Sequence, residues 1–112
     1  MAMGNLGGAV QNRLEAMMKM VETRPRDARA RFGLALELER LERWDEVVTE
    51  LTAYIGLADD EGNAFGRLAA ALLRLGREEE AREAYREGID AAYRHGHPTM
   101  AMEFEETLEE MD

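Results

Sequence analysis

The chain has no cysteine in 112 residues, a single lysine (Lys19), two histidines and two prolines, Pro25 and Pro98. Without thiols it can build neither a disulfide framework nor a thiolate zinc site, and a reducing, cytoplasmic setting is expected. Valine and isoleucine are scarce, which leaves little material for strands. No stretch approaches the roughly 20 apolar residues needed to span a bilayer. Met1–Val10 has neither a basic segment nor an apolar run, so no signal peptide is expected. Basic side chains are outnumbered 24 to 14, and the resulting net charge of −10 excludes nucleic acid and anionic membrane as default partners. No motif calls for a cofactor: Gly7-Gly8 precedes a helical stretch but lacks the strand and the lysine of a phosphate loop.

What remains is dominated by Ala, Leu, Glu and Arg, all strong helix formers, so an all-α fold is expected. The length suits one domain. Thirteen arginines beside one lysine read as the base composition of a GC-rich, bacterial genome, and 18 Glu against 6 Asp is not a halophile's pattern. The acidity is uneven: Pro98–Asp112 carries six acidic residues and no basic ones, leaving only −4 on the first 97 residues.

Sliding the chain by 34 residues aligns Pro25–Ala58 with Asp59–Ala92. Ten pairs are then identical, among them Leu34/Leu68, Ala35/Ala69, Leu38/Leu72, Leu41/Leu75 and Glu46/Glu80, against about three expected from composition. Most of the matches keep helical apolar spacing. Each unit reads as two helices. In the first, Leu34, Ala35, Leu38 and Leu41 share a face behind an Asp27 N-cap, and a second run buries Trp44, Val47, Val48, Leu51, Tyr54 and Ile55. In the second, Phe65, Leu68, Ala69, Leu72 and Leu75 precede a turn at Gly76, and Ala81, Tyr85, Ile89 and Ala92 follow it. Ala35, Ala69 and Ala81 are small enough to let neighbouring helices approach closely.

With Phe65-x-x-Leu68-Ala69-x-x-Leu72, Gly76 and Ala81-x-x-x-Tyr85, the second unit resembles a tetratricopeptide repeat. The first departs more, with Arg31 at an aromatic position, Val47 for the small Ala and Glu42 for the inter-helix Gly. Asp59 and Tyr93 stand where such repeats end in Pro. The resemblance implies a short α-solenoid: repeats at about 25–58 and 59–92, a lone helix of about 14 residues before them around Leu14, Met17, Met18 and Val21, and a cap helix at about 98–111. Six helices result, in a domain spanning 9–112 behind a flexible arm, Met1–Gly8. Terminal helices of this kind cover the ends of a solenoid.

The resemblance also implies a non-catalytic module that binds a peptide or partner protein in a concave groove lined by the first helix of each repeat. Transferred to this sequence, the groove-facing residues are Arg29, Phe32, Leu36, Glu39 and Arg40, then Asn63, Gly66, Arg67, Ala70, Leu73 and Arg74. Arginine forks match carboxylates, so an acidic or C-terminal carboxylate partner is the expectation. Alternatively Phe32 and Leu36 pack on the N-terminal helix and the arginines are solvated. All eight methionines lie in two terminal blocks, none between residues 21 and 99. Met17, Met18 and Met20, with Met102, Phe104 and Met111, serve either adaptable cap packing or self-association into a homo-oligomer through an end of the stack.

Catalytic constellations are thin. His95-Gly96-His97-Pro98 reads as a helix end with a left-handed Gly96, His95 favoured near the dipole's negative end and Pro98 at a first-turn position. A metal reading needs outside carboxylates such as Glu103, and no third ligand has a fixed spacing to the pair. Glu37, Glu39, Glu42, Glu78, Glu79, Glu80 and Glu83 fit solvated helix faces. No catalytic residue and no metal ligand is assigned.

Overall fold

Caps and left-handed residues cut this helix-forming sequence into six pieces. The computed structural model describes residues 2–112, with side chains from Gly8 onward except Val10. Among the described residues the helices are α1 (Ala2–Thr23), α2 (Ala28–Arg40), α3 (Trp44–Leu57), α4 (Asn63–Arg74), α5 (Glu78–Arg94) and α6 (Pro98–Met111), with no strand. Of the arm expected over Met1–Gly8, Met1 lies outside the described residues. From Ala2 onward the backbone belongs to α1, which is therefore 22 residues long where about 14 were expected. Glycines weaken a helix by about 1 kcal/mol each but, unlike proline, do not remove its hydrogen bonds.

The Asp27 side chain accepts from the Ala30 N–H at 3.1 Å and starts α2 as expected. The three corners after α2, α4 and α5 share one geometry. Arg43, Arg77 and His97 each donate their N–H to the carbonyl five residues back, at 3.0, 2.9 and 2.7 Å. Between lies a left-handed residue, Glu42 (φ 57°), Gly76 (φ 74°) or Gly96 (φ 78°). This is the glycine-type helix stop, and Glu42 adopts it despite its Cβ.

Each helix packs on its neighbours in chain order, α1 on α2 through α5 on α6. The result is a rod of 48 × 28 × 22 Å whose radius of gyration is 15.6 Å, against about 13 Å for a compact chain of this length. It is a short all-α solenoid of helix hairpins. Leu14 and Val21 of α1 join Leu34, Ala35, Leu38, Val47 and Leu51 in one buried cluster. Ala69, Leu72, Ala81, Ala84 and Tyr85 form a second, with Phe104, Leu108 and Met111 of α6 packed on it. Ala35, Ala69 and Ala81 are fully enclosed, as close helix approach requires. One charged residue is buried with the core: Glu37 accepts from Arg13 of α1 and from Arg40, both at 3.1 Å. It is not on the solvated face expected for it.

Candidate functional site

The first helices of the hairpins, α2 and α4, and the last helix α6 line one side of the rod, and a hollow of about 350 Å³ opens between them. Gly66, Ala70, Met100 and Phe104 make its apolar part, and Glu39, Asn63, Arg67 and Glu103 its polar edge. The floor is shaped by missing side chains. A Cβ on Gly66 would stand 2.6 Å from the Phe104 ring, and one on Gly88 of α5 would stand 3.1 Å from it. The ring therefore lies in a notch between two glycines, 5.6 Å from the Tyr85 ring centroid. Burial holds the Tyr85 phenol above its ordinary pKa.

The expected groove residues separate into several environments. Asn63 and Arg67 line the hollow, and Arg67 donates to Glu39 from across it, tying α4 to α2. Arg29 lies beside a second hollow of about 360 Å³ between α1 and α2, with Met17, Met20, Asp27, Ala30 and Gly33. Phe32 turns onto Tyr54 of its own hairpin, ring centroids 4.9 Å apart, and packs with the first cluster. Leu36 is half-buried, and Leu73 packs with the second cluster. Arg40 is exposed and bonded to Glu37, whereas Arg74 sits over the Trp44 ring, 5.2 Å from its centroid. Arg40, Arg67 and Arg74, all expected in the groove, thus have three separate partners. Met100, Glu103 and Phe104 complete the hollow but were not among the expected groove residues, Phe104 being expected in cap packing or self-association. Met100 and Phe104 lie 34 residues after Gly66 and Ala70, so one more step of the period would have found them.

The terminal methionine group divides too. Met17 is half-buried against Gly33, and Phe104 and Met111 pack within the chain. Met18, Met20 and Met102 are 39%, 51% and 57% exposed.

A third feature is the corner before α6. Asp59 and Glu61, in the loop after α3, face His95 (3.2 Å) and His97, and Arg94 lies 3.6 Å from Asp59. The hydrogen bond from His97 holds the Glu61 carboxyl below its usual range. Nearby, the Tyr93 hydroxyl donates to Glu105 at 2.6 Å, which raises the phenol's pKa. Among the described residues no three His, Asp or Glu side chains form a metal-binding group, and no helix is long and apolar enough to cross a membrane.

Comparison with solved structures places this architecture among known solenoids. MamA AMB-1 superposes with a TM-score of 0.66 at 24% identity, over 77% of this chain and 51% of its own length. MamA MSR-1 gives 0.65 at 21%, over 95% and 69%. The chain spans about half the length of MamA AMB-1, and identities this low carry the fold alone. No curated protein matches significantly. The tetratricopeptide resemblance holds for the helical-repeat fold, but the family model that matches is another one. Matched over residues 3–102 by the model of the bacterial transcriptional activator domain, the chain belongs to that family.

Proposed function

We propose that the chain is a non-catalytic interaction module that holds a segment of a partner protein in the hollow between α2, α4 and α6. The hollow's lining carries this reading: a small, apolar floor at Gly66 and Ala70 admits one partner side chain beside Phe104, and polar groups of both signs surround it. Arg67 and Asn63 supply donors, so a partner carboxylate would compete with Glu39 for the Arg67 fork. Arg29, Phe32, Leu36, Arg40, Leu73 and Arg74 flank this contact rather than form it. The family's name ties such domains to transcriptional activators. With a net charge of −10 the chain is unsuited to DNA, so its contribution to such a protein is a protein contact.

Peptides selected from a random library on the wild-type chain test this. They should lose about tenfold or more of their affinity for Ala70→Arg, which fills the floor, and keep it for Thr52→Arg on α3, which lines a separate hollow with Val48 and Leu68. Arg67→Gln should weaken only those with carboxylates. Selected peptides that tolerate Ala70→Arg but not Thr52→Arg would overturn the assignment.

A further inference from the structure

The 34-residue period divides the helices into first and second members of a hairpin. Helices α2 and α4 are first members, α3 and α5 second members. In the same register α6 is a first member and α1 a second member. Within the described residues each of these two lacks its hairpin mate. The faces that a mate would cover can be read from the complete repeats. Leu68 and Leu72 of α4 pack with the cluster that α5 completes, and 34 residues on they become Met102 and Glu106. On α3, Val47 is enclosed and Tyr54 meets Phe32 of its mate. Thirty-four residues earlier these are Arg13 and Met20. Met20 and Met102 are more than half exposed, Glu106 is exposed, and the Arg13 side chain is still 53% exposed despite its bond to Glu37.

The two open faces are complementary. Each presents one methionine, α1 adds a cation and α6 adds an anion. The charge of the whole rod follows the same direction. Residues 1–40 hold seven basic and five acidic side chains, whereas residues 78–112 hold three basic and twelve acidic ones. Helices of a hairpin run antiparallel about the corner. In the two complete hairpins Leu38 and Val47, and likewise Leu72 and Ala81, stand almost equally far from the left-handed residue and share a buried cluster. Transferred to the open ends, that pairing sets Glu106 opposite Arg13 and the first turns of α6 opposite Met20.

We propose that copies of this chain associate end to end, α1 of one packing on α6 of the next as the missing second helix, so that the solenoid continues from chain to chain. The contact is heterologous: each copy uses one face to receive and another to dock, so association does not stop at a dimer. It uses the ends of the rod and is independent of the hollow between α2, α4 and α6.

Sedimentation velocity on the full chain tests it, from micromolar to millimolar concentration and at low and high salt. The mean mass should rise with concentration above the monomer's 12.7 kDa and fall back in high salt, because the pairing is electrostatically guided. Glu106→Arg should raise the dissociation constant about tenfold or more with the melting temperature unchanged, and Glu106→Gln should raise it less, whereas Arg13 stays in place because it also holds buried Glu37. Since the chain has no native thiol, mixing Met20→Cys with Met102→Cys under mild oxidation should give a mixed disulfide, while Thr52→Cys with Met102→Cys should not. A mass of 12.7 kDa at every concentration overturns the proposal. So does association that Glu106→Arg does not weaken, which would place the contact elsewhere.

Discussion

Replacing Gly66 by alanine should destabilise the protein, although alanine is the better helix former. In the middle of α4 the exchange gains about 1 kcal/mol of helix propensity. The new Cβ would stand 2.6 Å from Cζ and 2.7 Å from Cε1 of Phe104. On its other side the ring faces Gly88 of α5, where an added Cβ would stand 3.1–3.2 Å from it, so its retreat is limited to the little space that this missing side chain leaves. Overpacking of this kind costs about 1–3 kcal/mol, so the net loss is about 1 kcal/mol and a fall in melting temperature of about 4 °C. In a Phe104→Ala background the obstructing atoms are gone and only the propensity gain remains. There Gly66→Ala should stabilise by about 1 kcal/mol, a coupling of about 2 kcal/mol between the sites. Urea and thermal denaturation of the four proteins, followed by circular dichroism, measure this. Stabilisation by Gly66→Ala in both backgrounds would refute the notch as the reason for glycine at this position.

Glu42→Gly should raise stability by up to about 1 kcal/mol, since Glu42 holds φ 57° where the two equivalent corners use glycine; a lower melting temperature would contradict this. Asp27→Ala should cost about 1 kcal/mol by removing the bond to the Ala30 N–H, measured as a shift of the urea midpoint. The Glu61 carboxyl is held low by His97, so its contribution is present above its unfolded pKa and is lost as pH falls through the carboxylate range. Glu61→Gln should therefore flatten the acid limb of melting temperature against pH, and parallel curves would count against the bond. Glu39→Gln should release Arg67 and strengthen binding of a hexaglutamate probe several-fold, while lowering stability by well under 1 kcal/mol because the pair is partly exposed; unchanged probe binding would mean that Glu39 does not restrain Arg67.

The helices and their order were legible because helix formation and burial leave periodic traces. Leu34, Ala35 and Leu38 repeat as Leu68, Ala69 and Leu72, all six aligned by one 34-residue period. The stops at Gly76 and Gly96 were legible because only certain residues adopt left-handed backbone cheaply. The start of α1 was not, since runs of small residues such as Gly7-Gly8 weaken a helix without dictating where it begins. Nor were the ion-pair partners. Helical spacing fixes which way Arg40, Arg67 and Arg74 leave their helices, but long side chains reach several acids, and the choice depends on packing between helices. Glu37 shows the same gap: its place beside Leu38 reads as surface, yet Arg13 of α1 and Arg40 together supply the donors that let it be buried.

Those pairings change what the hollow can do. Three free guanidinium groups on one face would attract any polyanion at a distance of several ångströms, with little selectivity. Instead Arg40 is held by Glu37, Arg67 by Glu39 and Arg74 by the Trp44 ring. An anionic partner gains nothing at Arg67 until its own carboxylate takes the place of Glu39, which requires the correct distance and plane for the guanidinium fork. Glu103 on the same edge adds a repulsion that a loosely placed acid cannot avoid. In the proposed module, recognition would then depend on geometry at one arginine and on apolar fit at Gly66 and Ala70. A net acidic chain could in this way accept an acidic segment without becoming a general anion trap.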